Sequence, residues 1–177
     1  MTVPDLILLN GASSSGKTSV SKCLQELLLP RIYLGYSIDN ILYSLPPSAL
    51  KRMTSGQDIS DLDYSKLVHS YYESAHTLLS SGNFLVMDDA VTEPEIARKL
   101  ETRFADFRML TVGLHCSLEA LKARELARGD RTIGEAEWQF PQVHRHLKYS
   151  LEIDSTQASP EALSRQIMDF IAKNTAP

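Results

Sequence analysis

The sequence predicts a single α/β domain with a five-stranded, mainly parallel β-sheet and helices on both of its faces. Five short apolar runs alternate along the chain with longer amphipathic stretches, which is the pattern of repeated β-α-β crossovers. The 177 residues are enough for one ordinary domain with its own hydrophobic core, and they contain no repeat, linker or low-complexity tract. These features favour one domain over residues 1–177.

The strands are predicted where the apolar runs lie, and the helices are predicted between them. In chain order, strands are expected at residues 5–10, 31–37, 83–89, 107–116 and 149–154. Helices are expected at residues 17–28, 63–81, 117–128 and 160–174. Two more are expected, one that begins near residue 92 and one that follows residue 134 and runs to about residue 147. Three helices have favourable N-cap residues: Thr92, which begins the capping-box pattern Thr-Glu-Pro-Glu, Ser117 and Ser159.

Composition and charge argue against several classes of protein. The formal charge of −4 and the pI near 5.7 disfavour a nucleic-acid partner, which requires a basic face. No apolar run approaches the roughly 18 residues of a membrane span, and the N-terminus lacks a basic segment followed by a cleavable apolar one. Cys23 and Cys116 lie far apart and outside any metal-binding pattern, so free thiols are expected. We therefore expect a cytoplasmic protein without a nucleic-acid or membrane partner.

The carboxyl ends of the strands are where function is expected. Ligands of parallel sheets bind beyond those ends, at the point where the strand order reverses. Asn10 ends the first predicted strand, Asp39 lies just past the second, and Asp88 and Asp89 end the third. These polar side chains are therefore predicted to lie along one edge of the sheet.

The residues after the first strand have the spacing of a phosphate-binding loop, or P-loop. Gly-Ala-Ser-Ser-Ser-Gly-Lys-Thr lies between a predicted strand and a predicted helix, a context that argues against an accidental match. The glycines let backbone N–H groups point at phosphate oxygens, and the helix N-terminus adds partial positive charge. Lys17 is expected to reach the β- and γ-phosphates, and the Thr18 hydroxyl is expected to bind Mg²⁺. The predicted nucleotide-binding residues are Gly11, Ala12, Ser13, Ser14, Ser15, Gly16, Lys17, Thr18 and Ser19.

Three aspartates are candidates for the chemistry. Asp88 and Asp89 end an apolar strand, as does the acidic element that orients Mg²⁺ in phosphate-loop proteins. Spacing alone leaves open which of the two faces the metal, and Asp88 is preferred. Asp39 is a candidate general base, because a carboxylate there can take the proton of an attacking hydroxyl. The alternative is that Asp39 is the N-cap of a short helical turn.

Residues 123–131, Ala-Arg-Glu-Leu-Ala-Arg-Gly-Asp-Arg, supply cations. Arg124 and Arg128 share a helical face, and Arg128 and Arg131 bracket a Gly-Asp pair that can act as a hinge. Arginines that close over a triphosphate stabilise the charge of the transferred group. Residues 124–134 are therefore predicted to form a lid. The alternative is a solvated helix face on which the arginines pair with neighbouring carboxylates.

With these motifs, the sequence resembles the chloramphenicol phosphotransferase family, small bacterial phosphate-loop kinases that transfer the γ-phosphate of ATP to a hydroxyl group of the drug. The resemblance rests on ILLNGASSSGKTSVSKCLQ, IDNIL and LVMDDA, and above all on VGLHCSLEALKARELARGDRTIG, which runs on to VHRHLKYSLEIDST. It covers most of the chain outside residues 45–83. It implies ATP and Mg²⁺ as cofactors, Asp39 as the catalytic base, and Arg128 and Arg131 close to the phosphates.

The sequence departs from the family in two places, a mild change in the phosphate loop and a divergent segment that concerns the acceptor. Ala12 stands where the drug-modifying member has glycine, and the segment of residues 45–80 differs strongly in the region that shapes the acceptor pocket. The resemblance therefore implies the catalytic machinery but not the drug specificity. An aromatic pocket and simple helix packing are alternative interpretations of four residues in this segment: Tyr64, Tyr71, Tyr72 and His76.

Three functions compete. The first is ATP-dependent phosphoryl transfer to a hydroxyl of a small molecule, and the second is a nucleoside, nucleotide or sugar-nucleotide kinase of the zeta-toxin kind. A base such as Asp39 favours a neutral hydroxyl, because an acceptor phosphate is already ionised. A nucleotide-dependent switch is disfavoured, since the sequence has no Asn-Lys-x-Asp run to read guanine. The identity of the acceptor, its status as an antibiotic and the oligomeric state are left open.

Overall fold

The structure, a computed structural model, describes residues 3–128 and 133–174. Its centre is a five-stranded sheet in which every neighbouring pair of strands is parallel. The strands are β1 (Leu6–Asn10), β2 (Tyr33–Ser37), β3 (Phe84–Asp89), β4 (Met109–His115) and β5 (Leu151–Asp154). The five predicted strands and their parallel arrangement are therefore confirmed.

Eight helices are described between and after the strands. They are α1 (Lys17–Leu27), α2 (Ile38–Leu42), α3 (Pro47–Thr54), α4 (Tyr64–Ser80), α5 (Pro94–Arg103), α6 (Leu118–Arg128), α7 (Glu135–Gln139) and α8 (Pro160–Asn174). None of the helices in the described ranges is long and apolar enough to cross a membrane. Cys23 and Cys116 are free thiols, as expected.

The hydrophobic core lies on both faces of β1. Side chains alternate along a strand, so Ile7 and Leu9 lie on one face and Leu6 and Leu8 on the other. The first pair packs with side chains of α1 and α8, and the second pair packs with α4 and α5. All four residues are fully buried, and each contributes about 1.5–3 kcal/mol to folding. Burial on both faces explains why this strand is a continuous apolar run in the sequence.

The strand order β2-β3-β1-β4-β5 places the switch point at β1, where successive crossovers leave in opposite directions. The register makes the strand ends level. Asn10 pairs with Asp89 on one side and with Gly113 on the other, and Ser37 pairs with Asp88. A crevice therefore opens beyond the carboxyl ends of β1, β2 and β3, and it begins at the predicted phosphate loop.

Two helices in the segment between β2 and α4 are absent from the sequence-based prediction. α2 follows β2 directly, and its N-cap is Ser37. α3 has Pro47 at its first position, where the fixed φ of proline favours a helix start. Its apolar residues Ala49, Leu50 and Met53 share one face and are only partly buried, and eight residues are too few for a helical period to stand out in the sequence.

Two predicted helix ends are wrong. Thr92 is not the N-cap of α5; the cap is Glu93, which has extended backbone angles and makes no side-chain capping hydrogen bond. Pro94 at the first helical position holds its predecessor extended, which moves the start by one residue. The helix expected to reach about residue 147 is α7, which ends at Gln139. Pro141 lies two residues beyond that end and has no N–H with which to continue the helix.

The other two predicted caps are confirmed by hydrogen bonds. The Ser117 hydroxyl accepts from the backbone N–H of Ala120 at 3.2 Å, at the start of α6. The Ser159 hydroxyl accepts from the N–H of Ala162 at 3.3 Å, at the start of α8. Each contact satisfies one of the backbone donors that a helix N-terminus leaves unpaired.

Candidate active site

The loop between β1 and α1 has the backbone geometry of a phosphate cradle. A Cβ at Gly11 would lie 2.6 Å from the carbonyl oxygen of Leu114, so only glycine fits where the loop passes β4. Gly16 has a φ of +95°, in the left-handed region that favours glycine, and Ser14 has a φ of 65°. Both glycines of the sequence motif are therefore required by the shape of the loop.

The loop contains hydrogen-bonding groups that the described protein leaves unsatisfied. The hydroxyl oxygens of Ser13, Ser14 and Ser15 are buried and have no hydrogen-bond partner within the described residues. α1 begins directly after the loop at Lys17, and its N-cap Gly16 provides no side-chain cap. Unpaired hydroxyl and N–H donors at a helix N-terminus suit a phosphate group. The residues present therefore fit a bound nucleotide.

Lys17 lies along the mouth of this loop. Its ammonium donates to the carbonyl oxygens of Gly11 and Ala12, at 2.8 Å and 2.9 Å. It also borders a cavity of about 310 Å³ beyond the strand ends. The predicted nucleotide-binding residues that line the cavity are Ser13, Ser14, Gly16, Lys17, Thr18 and Ser19. The cavity therefore has the phosphate loop as one wall.

The two aspartates at the end of β3 have different surroundings. The Thr18 hydroxyl donates to Oδ2 of Asp88 at 3.0 Å, which joins the first turn of α1 to β3. Asp89 instead accepts from the Tyr72 hydroxyl at 2.6 Å and from the backbone N–H of Ala90 at 2.8 Å. Burial raises the pKa of Asp89, and the Tyr72 hydrogen bond acts in the opposite direction. Asp88 is therefore the carboxylate beside the threonine that is expected to bind a metal.

Asp39 lies at the second position of α2 and lines the same cavity as Lys17 and Asp88. The structure contradicts the alternative that Asp39 is an N-cap. Ser37 occupies the cap, and it forms a capping box with Asn40, whose side-chain oxygen accepts from the Ser37 N–H at 2.8 Å. The Asp39 carboxylate is thus not needed to start the helix.

The three predicted arginines differ in where they lie. Arg128, the last residue of α6, lines the same cavity as Asp39 and Asp88. Arg131 lies outside the described residues. Arg124 is not part of a solvated face, because its guanidinium donates to the carbonyl oxygens of Ser155 and Thr156 at 2.7 Å and 3.2 Å. It fastens α6 to the loop that follows β5.

Glu125, one of the carboxylates that neighbour the arginines in the sequence, anchors α7. Its side chain is 2% exposed. One carboxylate oxygen accepts from the N–H of Gly134 at 2.8 Å, and the other accepts from the N–H of Ala136 at 2.9 Å. A carboxylate that accepts hydrogen bonds at a helix N-terminus is favoured by both hydrogen bonding and the helix dipole. This contact fixes the helix whose side chains face the cavity.

α7 contributes three cavity residues that the sequence analysis missed: Glu135, Trp138 and Gln139. Gln139 links α7 to the phosphate loop, since its side-chain oxygen accepts from the Ser13 N–H at 2.6 Å. Its side-chain nitrogen donates to Glu135 at 3.1 Å. The contact with Ser13 spans 126 residues of sequence, so no local pattern could have indicated it.

The predicted aromatic residues of α4 are only partly at the site. Tyr64, Tyr71 and Tyr72 line the cavity. Tyr71 is 1% exposed and packs against Tyr36, with ring centroids 5.4 Å apart, so it is also a core residue. His76 lines neither this cavity nor the groove beside it; its ring packs against Phe107 at a centroid distance of 5.4 Å. Helix packing is therefore the correct interpretation of His76.

Side chains at the end of β1, behind the phosphate loop, contact one another in turn, and we call them the bracing layer: Asn10, Tyr149, His144 and His115. The sequence indicates only that Asn10 ends a strand. Asn10 is fully buried. Its side-chain nitrogen donates to the carbonyl oxygen of Val143 at 2.7 Å and to the Tyr149 hydroxyl at 2.6 Å, and its oxygen accepts from the N–H of Val91 at 2.8 Å. One amide thereby joins the end of β1 to the residues after β3 and to the segment before β5.

His144 belongs to this bracing layer and does not line the cavity. Its Nδ1 is 2.8 Å from the Tyr149 hydroxyl, and its ring stacks on His115 with centroids 3.9 Å apart. Glu152 lies 2.7 Å from Nε2 of His115. Burial, followed by the neighbouring His115, lowers the pKa of His144 to about 4. The ring is therefore neutral near pH 7.

Comparison with known proteins gives a family and a fold. Residues 4–172 match the model of the family described as "Chloramphenicol phosphotransferase-like protein". The chain is 29% identical over 180 aligned positions to a Mycobacterium tuberculosis (strain H37Rv) protein named "Putative O-phosphotransferase Rv2636", with 92% of this chain and 80% of that protein covered. A protein from strain CDC 1551, named "Putative O-phosphotransferase MT2714", matches with the same identity and coverage.

Two solved structures have the same fold. A gluconokinase from Sinorhizobium meliloti 1021 superposes with a TM-score of 0.72 at 19% identity, over 98% of this chain and 95% of that chain. The APS kinase CysC of Mycobacterium tuberculosis, in complex with AMPPNP and APS, superposes with a TM-score of 0.70 at 16% identity, over 97% and 99% of the two chains. At these identities the likeness is one of fold alone.

Proposed function

The chain belongs to the chloramphenicol phosphotransferase-like family, and from that premise we propose that it transfers the γ-phosphate of ATP to a hydroxyl group of a small molecule, with Mg²⁺. Family membership makes it a small-molecule kinase. The nucleotide, the metal, the lid and the class of acceptor are the proposed part. One observation carries the proposal: Asp39 and the phosphate loop line the same cavity of about 310 Å³.

The phosphate loop is proposed to bind the triphosphate. The unpaired hydroxyls of Ser13, Ser14 and Ser15 and the N–H groups at the start of α1 supply donors for phosphate oxygens. Lys17 already lies along the loop, within hydrogen-bond distance of its carbonyl groups. Rotation about its side-chain bonds would carry the ammonium to the β- and γ-phosphates, where a positive charge is needed.

Thr18 and Asp88 are the residues proposed to hold Mg²⁺. The Thr18 hydroxyl oxygen and Oδ2 of Asp88 are 3.0 Å apart. When bound, the ion neutralises charge on the phosphate oxygens and favours departure of the ADP oxygen. Asp89 is less suited to that role, because its oxygens are occupied by Tyr72 and by the backbone at Ala90. It is proposed to hold the end of β3 against α4.

Asp39 is proposed as the general base. The acceptor hydroxyl loses its proton to the Asp39 carboxylate while its oxygen forms a bond to the γ-phosphorus, and the bond between that phosphorus and the bridging oxygen of ADP breaks. Lys17 and Arg128 stabilise the charge that spreads over the transferred group. Arg131 is added to this set on the resemblance alone. Asp39 then releases its proton to water, and the phosphate ester and ADP leave.

Residues 124–134 are proposed as the lid, and residues 45–80 as the region that shapes the acceptor site. Arg128 supports the first assignment, since it lies at the end of α6 and faces the cavity. Tyr64 and Tyr72 support the second, because both line the cavity from α4. Excluding water during transfer is the function expected of such a lid.

The test is phosphoryl transfer itself. The protein is mixed with Mg-ATP and a panel of hydroxylated metabolites and antibiotics, and each product is examined for the mass gain of one phosphate. The Lys17→Ala protein serves as the blank. We expect at least one compound to gain a phosphate only with the unsubstituted protein. A protein that consumes ATP without regard to Lys17, or transfers to no compound, would contradict the proposal.

A further inference from the structure

The last turn of α6, residues 125–128, carries Arg128 and has one buried side chain. That side chain belongs to Glu125, which is 2% exposed, whereas Leu126, Ala127 and Arg128 are all exposed. The end of a helix frays readily, because its last carbonyl groups have no partner within the helix. Glu125 therefore anchors the turn that carries Arg128.

Glu125 joins this turn to the start of α7. Its two carboxylate oxygens accept from the N–H groups of Gly134 and Ala136, which are the N-cap and the second residue of α7. Gly134 has no side chain with which to cap the helix, so Glu125 supplies the hydrogen bonds that a capping side chain would give. The end of α6 and the start of α7 therefore form one joint.

The other end of α7 is fixed to the phosphate loop. Gln139, the last residue of α7, is 7% exposed, and its side-chain oxygen accepts from the N–H of Ser13 at 2.6 Å. The neighbouring loop residue, Ala12, is buried in a small apolar cluster with Ala136 and Val143. α7 therefore spans from the end of α6 to the phosphate loop, with a buried hydrogen bond at each end.

We propose that α7 is a strut that sets the position of Arg128 relative to the phosphate loop, and that its two attachment points, Glu125 and Gln139, are positioning residues for phosphoryl transfer. The inference rests on the proposed function, in which Arg128 stabilises the charge of the transferred group. Glu125 is buried and does not line the cavity, so it acts through the residues that it holds in place.

A loosened strut should affect transfer more than nucleotide binding. A catalytic group that is misplaced by about 1 Å can reduce a rate by about 10²-fold. The charge that Arg128 is proposed to stabilise is greatest in the transition state. The Ser13 N–H is already used by Gln139, so phosphate binding relies on the other donors of the loop and on Lys17. The affinity for ADP should therefore survive the loss of either attachment.

One variant tests each end of the strut. Glu125→Gln keeps the shape of the side chain and removes one of the two hydrogen bonds at the start of α7. Gln139→Met keeps the length of the side chain and removes the bond to Ser13. Gln25→Met is the matched control, because the Gln25 side chain also bonds to the backbone, donating to the carbonyl oxygen of Tyr33 at 2.8 Å, but it lies on α1 and does not line the cavity.

Two quantities are measured for each protein. The first is the single-turnover rate of transfer to the best acceptor of the panel. The second is the Kd for Mg-ADP with and without aluminium fluoride, which imitates the transferred phosphoryl group. We expect Glu125→Gln and Gln139→Met each to lower the rate, and to weaken binding of the mimic, by about tenfold. The Kd for Mg-ADP alone should change by less than about threefold, and Gln25→Met should change none of these quantities.

Coupling to Arg128 separates positioning from a merely structural role. If Glu125 acts by placing Arg128, the Glu125→Gln/Arg128→Ala protein should transfer phosphate within about twofold of the rate of the Arg128→Ala protein. Independent effects would multiply, and the double variant would lose about a further tenfold. The Gln139→Met/Arg128→Ala protein gives the same comparison if Glu125→Gln does not fold.

The outcomes for the strut and for the proposed function are distinguishable. Losses that multiply with Arg128→Ala, or wild-type rates and mimic affinity in a folded Gln139→Met protein, would overturn the strut alone. The same comparison can be made in the affinity for the mimic, so it does not depend on finding an acceptor. A wild-type protein that shows no Lys17-dependent use of ATP, and that binds Mg-ADP no more tightly with aluminium fluoride, would instead overturn the proposed function.

Discussion

The two sides of the cavity are built in different ways. The phosphate side is formed mainly by the backbone of the phosphate loop, and buried residues hold that loop in place. Asn10 is 0% exposed, Ser15 is 1% exposed, and a Cβ at Gly11 would clash with β4. The acceptor side is formed by side chains on helices, and some of them are partly in solvent, such as Tyr64, which is 45% exposed. The first side is rigid and common to many acceptors, whereas the second can change without disturbing the sheet.

This difference predicts how substitutions behave. A change on the phosphate side should reduce the rate for every acceptor. A change on the acceptor side should alter which acceptor is used while ATP binding persists. The predictions that follow would break or sharpen this division, and the substitutions run from the largest expected effect to the smallest.

Lys17→Ala should give the largest loss. Removing the point charge that serves the β- and γ-phosphates should lower kcat by about 10³-fold for every acceptor, because phosphoryl transfer depends on positioning and charge. The measurement is steady-state transfer with two different acceptors. Lys22→Ala is the matched control, since Lys22 is an exposed lysine of the same helix. A loss confined to one acceptor would break the division.

Arg128→Ala should reduce kcat by about 10²-fold and raise KM for ATP much less, since the charge on the transferred group is greatest in the transition state. Arg128 lines the cavity from the end of α6. Kinetics with ATP, compared with the affinity for ADP, separate the two effects. Arg165→Ala, an exposed arginine on α8, should change neither. Equal weakening of ATP and ADP binding would instead indicate that Arg128 contacts the rest of the nucleotide.

Tyr64→Ala should raise KM for the acceptor several-fold and leave the affinity for Mg-ATP nearly unchanged, because Tyr64 lines the cavity from α4 and is exposed. His76→Ala is the control from the same helix; its ring packs on Phe107, so it should affect stability only.

In the wild-type protein, chloramphenicol should be a poor acceptor, since residues 45–80 differ from the drug-modifying relative. A kcat/KM for chloramphenicol of about 10⁶ M⁻¹s⁻¹ would contradict that expectation.

The smallest effect concerns the bracing layer behind the loop. The pKa of His144 is lowered to about 4, so the folded protein prefers a neutral ring, whereas the unfolded chain takes up a proton at about pH 6.5. Stability should therefore rise with pH between about 4 and 6.5 and be fully present above that range. The charged or titratable neighbours of His144 are His115, Glu152, Lys17 and Tyr149.

Urea unfolding at pH 7 and at pH 5 measures this effect. Between pH 7 and pH 5, we expect the free energy of unfolding to fall by about 1 kcal/mol more in the wild-type protein than in the His144→Gln protein. This figure is smaller than the pKa difference alone would give, because the ring is only partly buried. Identical losses in both proteins would show that His144 does not titrate in this way. ATP affinity at pH 7 should be the same in both.

The same division explains what the sequence could predict. The strands, the loop and the acids at the strand ends follow from local patterns: apolar runs, two glycines at fixed spacing, and Asp88 at the end of a buried strand. Glu125 and Gln139 were not predicted as anchors, because their partners are backbone N–H groups that only the folded chain brings near. α3 was missed because its eight residues are too few to show a helical period. Asp39 could be separated from a capping role only once Ser37 was seen to occupy the cap.

The most direct test of the central claim is the Asp39→Asn protein, because Asp39 lies where the phosphate side and the acceptor side meet. Calorimetry gives the Kd for Mg-ATP, and a single-turnover assay gives the rate of transfer to the best acceptor. The account predicts a Kd within about twofold of the wild-type value and a transfer rate lower by about 10²-fold or more, as expected for loss of a general base. Weakened Mg-ATP binding with an unchanged transfer rate would contradict it and make Asp39 part of the nucleotide site.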